Sequence, residues 1–189
     1  MTDIIKTRIT ESIGVKERIL NDEVLLDNIN NAAMMISDCL KKGGKILFCG
    51  NGGSASDALH LTGELVGRFQ KDRRGQAAIC LNADMASLTS VANDYGFDMV
   101  YARAVEGLMK ADDIFVGIST SGNSGNVYEA ALKARENGGK VVSFLGKNGG
   151  RIKDVSDVAI IVPGSVTARI QEAHIMIGYI ICEIVEDRL

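Results

Sequence analysis

The chain has 189 residues, 46% of them hydrophobic, with 21 Lys and Arg against 24 Asp and Glu and a net charge of −3. That content can bury one substantial core, and with no break in composition it implies a single domain over residues 1–189. The acidic balance gives no general field for nucleic acid, the apolar runs fall far short of a membrane span, and the start lacks a secretory signal, so a cytoplasmic protein with no nucleic-acid or membrane partner is expected.

Residues 1–43 read as two helices. Asn21-Asp22 marks the break, and Asp22 stands ready to cap a second helix whose Val24, Leu25, Leu26, Ile29, Ala32, Ala33, Ile36 and Leu40 follow the helical period. Gly43-Gly44 ends it, and strands are then predicted at 45–50, 77–81, 114–118, 141–145 and 158–162. Between them lie helical patterns at 56–69, 85–93, 100–109 and 123–137. This alternation predicts an α/β fold with a five-stranded, parallel, doubly wound sheet and right-handed crossovers. Residues 167–187 close the chain as a long helix that is apolar on more than one face, through Ile170, Ala173, Ile175, Ile177, Ile180, Ile181, Ile184 and Val185. Such breadth points to burial between subunits; a helix well covered within one monomer is the alternative.

Two glycine- and serine-rich loops, Gly50-Asn51-Gly52-Gly53-Ser54-Ala55-Ser56 and Ser119-Thr120-Ser121-Gly122-Asn123-Ser124, each follow a strand and precede a helix. Glycine lets backbone N–H groups approach an anion, hydroxyls add donors, and the helix N-terminus adds favourable electrostatics. A dinucleotide site is the weaker reading, because the third glycine of G-x-G-x-x-G is missing, and no Lys-Ser/Thr pair makes either loop a nucleotide P-loop. The hydroxyls point to a sugar phosphate. His60 and Glu64, four residues apart, share a helix face beyond the first loop, where they form either a surface ion pair or half of a metal site. Cys39, Cys49, Cys80 and Cys182 show no C-x-x-C pairing and read as buried free thiols rather than zinc ligands or nucleophiles.

Five segments together resemble the phosphoheptose isomerases, a family of sugar isomerase (SIS) domain proteins. These are Gly50-Asn51-Gly52-Gly53-Ser54, the His60-x-x-x-Glu64 helix with Gly67-Arg68-Phe69, Asn93-Asp94-Tyr95-Gly96, Gly117-Ile118-Ser119-Thr120-Ser121-Gly122-Asn123-Ser124, and Arg169-Ile170-Gln171-Glu172. The resemblance covers essentially the whole chain, in order and spacing. It implies a flavodoxin-like SIS fold preceded by helices, with residues 1–43 involved in assembly of a homotetramer. It also implies conversion of sedoheptulose 7-phosphate to D-glycero-D-manno-heptose 7-phosphate through an enediol, for lipopolysaccharide or capsule heptose synthesis. Carried over residue by residue, Asn51, Gly52, Gly53, Asn93 and Asp94 line the sugar, with Gln171 beside them, and Ser119, Thr120, Ser121 and Ser124 hold the phosphate. Glu64 is the base, and His60, Glu64 and Gln171 are zinc ligands.

The sequence departs from the family at Tyr179, eight residues after Gln171, where the isomerases carry a histidine that ligates zinc and acts as general acid. A phenol is a poorer acid near neutrality than an imidazole. His174, the other histidine, reads as a packed helix residue. The rival implied by Tyr179 is a non-catalytic SIS protein that binds the replication initiator, as some relatives lacking the late histidine do. An SIS transcriptional regulator would need a DNA-binding domain for which the length leaves no room.

Overall fold

The computed structural model describes residues 2–189. Two helices, α1 (Thr2–Leu20) and α2 (Glu23–Lys41), lead into β1 (Ile46–Gly50), α3 (Gly53–Val66), β2 (Ala78–Cys80), α4 (Met85–Tyr95), α5 (Val100–Leu108), β3 (Ile114–Ser119), α6 (Gly125–Glu136), β4 (Lys140–Gly146), β5 (Val158–Val162) and α7 (Thr167–Arg188). Short 3-10 turns lie at Phe97–Met99 and Ile152–Val155. Asp22 caps α2 as expected, accepting from the Leu25 N–H at 3.0 Å.

All five strands are parallel, in the order β2-β1-β3-β4-β5. From β1 the chain winds first to β2 on one side and then, through β3, to the other. The order therefore reverses between β1 and β3, the position where an open parallel sheet leaves a crevice at its strand ends. Their register pairs Gly50 with Ile118, so the two glycine-rich loops emerge side by side at that crevice.

Side-chain alternation along the strands divides the core. Ile46, Phe48, Val116, Val142, Phe144 and Ile160 face one side, packed under α2, α3 and α7, while Leu47, Cys49, Phe115, Val141 and Leu145 face α5 and α6.

The structure refines two sequence expectations. The closing helix is largely covered within one chain: Ile170, Ala173, Ile177, Ile181 and Val185 are buried, because α7 packs against α1, α2, α3 and β4 at once, while Ile175 and Ile184 are half-buried and Ile180 is exposed. The open apolar stripe belongs to α1, where Ile4, Ile5, Ile9 and Ile13 are about half exposed or more. Second, α3 begins at Gly53 rather than near Ser56, so the second half of the first loop is the first turn of a helix.

Candidate active site

Both loops deliver a helix N-terminus, and neither N-cap residue caps it with its own side chain. Gly52 and Ser124 occupy the N-cap positions of α3 and α6 without a side-chain cap bond, whereas α2 and α4 are capped by Asp22 and Asp84. The two helices that start at the crevice thus keep backbone donors free for an anion, although the Asp98 carboxylate stands beside the start of α6, where a Cβ on Gly125 would overlap it.

The first loop is braced from three directions. Asn51 and Asn126 exchange two amide hydrogen bonds of 2.8 Å, Asn82 donates to the Gly50 carbonyl at 2.9 Å, and the Tyr101 hydroxyl donates to the same carbonyl at 2.6 Å. Asn82 also bonds the Tyr101 hydroxyl. Gly53 is glycine for space: a Cβ there would overlap the Gln171 carboxamide, which α7 lays over the start of α3. Asn82, Tyr101 and Asn126 escaped the sequence reading, although an asparagine within two residues of a buried strand's C-terminal end is a signal of the same kind as Asn51.

The second loop is self-contained. Ser119, buried at the end of β3, shares a 2.8 Å hydroxyl contact with Ser124 and a 3.5 Å contact with Ser121, which in turn accepts from the Asn123 N–H. Three hydroxyls converge, and Thr120, next along the chain from Ser119, is half-buried. A phosphate oxygen can replace the contacts they make with one another.

Beyond the first loop, α3 presents His60 and Glu64 on one face, with Nε2 of His60 3.1 Å from Oε1 of Glu64. Tyr179 of α7 joins them, its hydroxyl 3.1 Å from the same Nε2. Gln171 lies nearer the loops: it shares a cleft of about 360 Å³ with Asp57, Ala168, Glu172 and Ile175. Asp57 is buried with one carboxylate oxygen unpartnered, and burial raises its pKa to about 6 against a smaller opposing effect of His60. Asn93 and Asp94 stand exposed at the end of α4, bonded to each other. A larger cleft, about 600 Å³, lies between α1 and the start of α7, lined by Lys6, Thr10, Arg18 and Arg169 and by none of the loop residues.

The structure gives the other candidates structural roles. All four cysteines are free and buried, and burial pushes Cys39 up to about 11 and Cys182 up to about 12, so neither is a thiolate nucleophile. His174 is packed in the core with Nε2 2.9 Å from the Leu145 carbonyl oxygen. Among the described residues no helix is long and apolar enough to cross a membrane.

Comparison with known proteins agrees with this geometry. The SIS domain family profile matches residues 13–146. A phosphoheptose isomerase of Nitratiruptor sp. is 52% identical over 165 residues, 87% of this chain and 88% of its own, and one of Leptospira biflexa is 47% identical over 98% and 95%. Solved phosphoheptose isomerases from Neisseria gonorrhoeae (TM-score 0.93, 40% identity) and Francisella tularensis (TM-score 0.95, 36% identity) each align over 98% of both chains. With both strand-end loops, the His60 and Glu64 pair and this likeness along nearly its whole length, the chain belongs to the SIS domain family and, within it, to the phosphoheptose isomerases.

Proposed function

We propose that the chain acts in the cytoplasm as an aldose–ketose isomerase, converting sedoheptulose 7-phosphate to D-glycero-D-manno-heptose 7-phosphate for surface polysaccharide. The observation that carries the reading is one carboxylate, Glu64, set two to three helical turns beyond a braced loop while three hydroxyls converge in the neighbouring loop.

The ketose carries its carbonyl at C2 and the aldose at C1, so the reaction removes a proton from C1, passes through an enediol and returns a proton to C2. Glu64 is the base: one oxygen faces His60 and the other remains to take the proton. Ser119, Thr120, Ser121 and Ser124, with the N-terminus of α6, hold the phosphate and fix the sugar's distance from Glu64. Asn51, Gly52 and Gly53 border the sugar's path, with Gln171 laid over the same helix start; Asn93 and Asp94 complete its contacts.

The donors present suit zinc. An imidazole nitrogen and a carboxylate oxygen 3.1 Å apart match the chemistry and spacing of two zinc ligands, and His60 and Glu64 would hold the ion; the Gln171 carboxamide lies against Gly53, about two helical turns before His60. Zinc bound there supplies a Lewis acid that polarises the substrate carbonyl. Assembly as a homotetramer would cover the open isoleucine stripe of α1.

Incubation with sedoheptulose 7-phosphate, with zinc or with chelator, followed by product analysis tests the reading. Formation of the aldose, reduced by chelator and restored by zinc, is the expected result. Failure to turn over with zinc supplied would overturn it.

A further inference from the structure

The departure at Tyr179 is where this chain's own residues say something new. Helices α3 and α7 pack side by side in parallel register. Gln171 meets Gly53, Gly178 meets Leu61, Tyr179 meets His60, and Glu186 accepts from the N–H groups of Phe69, Gln70 and Lys71. Close approach is possible because residue 178 is glycine; a Cβ there would come within 2.6 Å of Leu61. The Tyr179 ring is then fixed on both sides, stacked on Phe69 with centroids 5.7 Å apart and edge-on to His60 at 5.4 Å. Glu186 and Arg73 in turn lock the segment that carries Phe69.

This clamp aims the phenol oxygen at the His60 nitrogen that already faces Glu64. Nε2 lies 3.1 Å from both oxygens. A ring nitrogen carries one proton or one lone pair, so it serves one of these partners well and the other poorly. A cation among the three atoms answers both contacts. Donors around four-coordinate zinc with bonds of about 2.0–2.1 Å stand about 3.3 Å apart, close to the observed spacing. Three protein donors and one open position is also the arrangement of a catalytic zinc site.

We propose that the Tyr179 oxygen, giving up its phenolic proton to solvent as the ion binds, is the third protein ligand of this chain's zinc, beside His60 Nε2 and Glu64 Oε1, with the remaining position left to the substrate. The inference rests on the zinc reading given above. Among the described residues no cluster of three His, Cys, Asp or Glu side chains is arranged for a metal, so without the phenol the site keeps only two strong donors.

The test uses the full chain and its Tyr179→Phe, Tyr179→His and His60→Ala variants. Zinc affinity is measured by titration calorimetry, and the visible spectrum is recorded after loading with cupric ion, since tyrosine oxygen bound to copper gives a charge-transfer band. Tyr179→Phe keeps the ring on Phe69 and should unfold at the wild-type temperature. It should bind zinc roughly tenfold or more weakly and lose the band, while Tyr179→His binds tightly with no band. If Tyr179→Phe matches wild type in affinity and spectrum while His60→Ala abolishes binding, the tyrosine ligand is refuted and the zinc reading survives. If the wild-type chain binds no zinc, both are overturned.

Discussion

The two strand-end loops look alike in sequence and differ in what their polar groups are bonded to. The first spends its side chain and carbonyl on the protein: Asn51 is bound to Asn126, and the Gly50 carbonyl receives both Asn82 and Tyr101. Hydroxyls of the second bond mostly to one another. A group bonded to its own fold is a strut, whereas hydroxyls bonded mainly to one another can be turned to a ligand at little cost, since each lost contact is replaced by a charge-assisted one. The first loop is therefore a rigid mount for α3 and its chemistry, and the second is the receiver for the phosphate.

The sharpest way to break this division is to remove the chemistry from the mount. Glu64→Gln keeps shape and loses the base, so turnover should fall by about a thousandfold or more, near 4 kcal/mol of transition-state stabilisation. Binding of the sugar phosphate, followed by calorimetry, should change little. Turnover near the wild-type rate would remove Glu64 from proton transfer and leave α3 as scaffold only.

Next in size is the receiver. Replacing Ser119, Ser121 and Ser124 together by alanine should weaken phosphate-bearing ligands by about a hundredfold, close to 3 kcal/mol, while an unphosphorylated sugar analogue binds as before. Equal weakening of both ligands would mean that these hydroxyls support the fold and do not address the phosphate.

Much of this was legible in the sequence, for a physical reason. Strands β1 and β3 are short, apolar and bounded by glycine and serine, so their ends, and hence both loops, could be placed from composition alone. Where α3 begins was harder to read, since Gly53 and Ser54 are poor helix formers, held helical by their position at a strand end. How far α7 is covered by its own chain could not be read from its sequence, because all-round apolarity records how many neighbours a helix has and not which chain they belong to. Tyr179 and His60 lie 119 positions apart, and only the parallel packing of α3 and α7 brings them together. The same holds for Asn51 and Asn126, 75 positions apart.

The receiver also has a support beneath it that pH can probe. His174 ties α7 to the end of β4 through the Leu145 carbonyl, and burial lowers its pKa to about 4 despite that hydrogen bond. A histidine whose folded pKa lies below its unfolded value of about 6.5 gives stability that is complete above pH 6.5 and is lost as pH falls through the folded value. The total loss attributable to it is about 3 kcal/mol, of which about 2 is gone by pH 5. Urea unfolding at pH 7 and pH 5 should show this difference in wild type and a smaller one in His174→Gln. An equal pH difference in both proteins would place the acid sensitivity elsewhere.

The smallest effect tests the mount itself. Asn126 is almost fully buried, and its amide makes a reciprocal pair with Asn51 while its oxygen also accepts from the Val127 N–H. Asn126→Ala leaves the Asn51 side chain without its two shortest hydrogen bonds and should cost about 1–2 kcal/mol of stability, measured by thermal or urea unfolding. The Gly50 carbonyl keeps Asn82 and Tyr101, so the loop should loosen without collapsing. A strut that loosens blurs the position of α3 for every ligand, which predicts KM rising a few-fold alike for phosphorylated and unphosphorylated sugars. If Asn126→Ala instead weakens only the phosphate-bearing ligand, the braced loop is itself a phosphate receiver. The contrast between the two loops would then be one of degree.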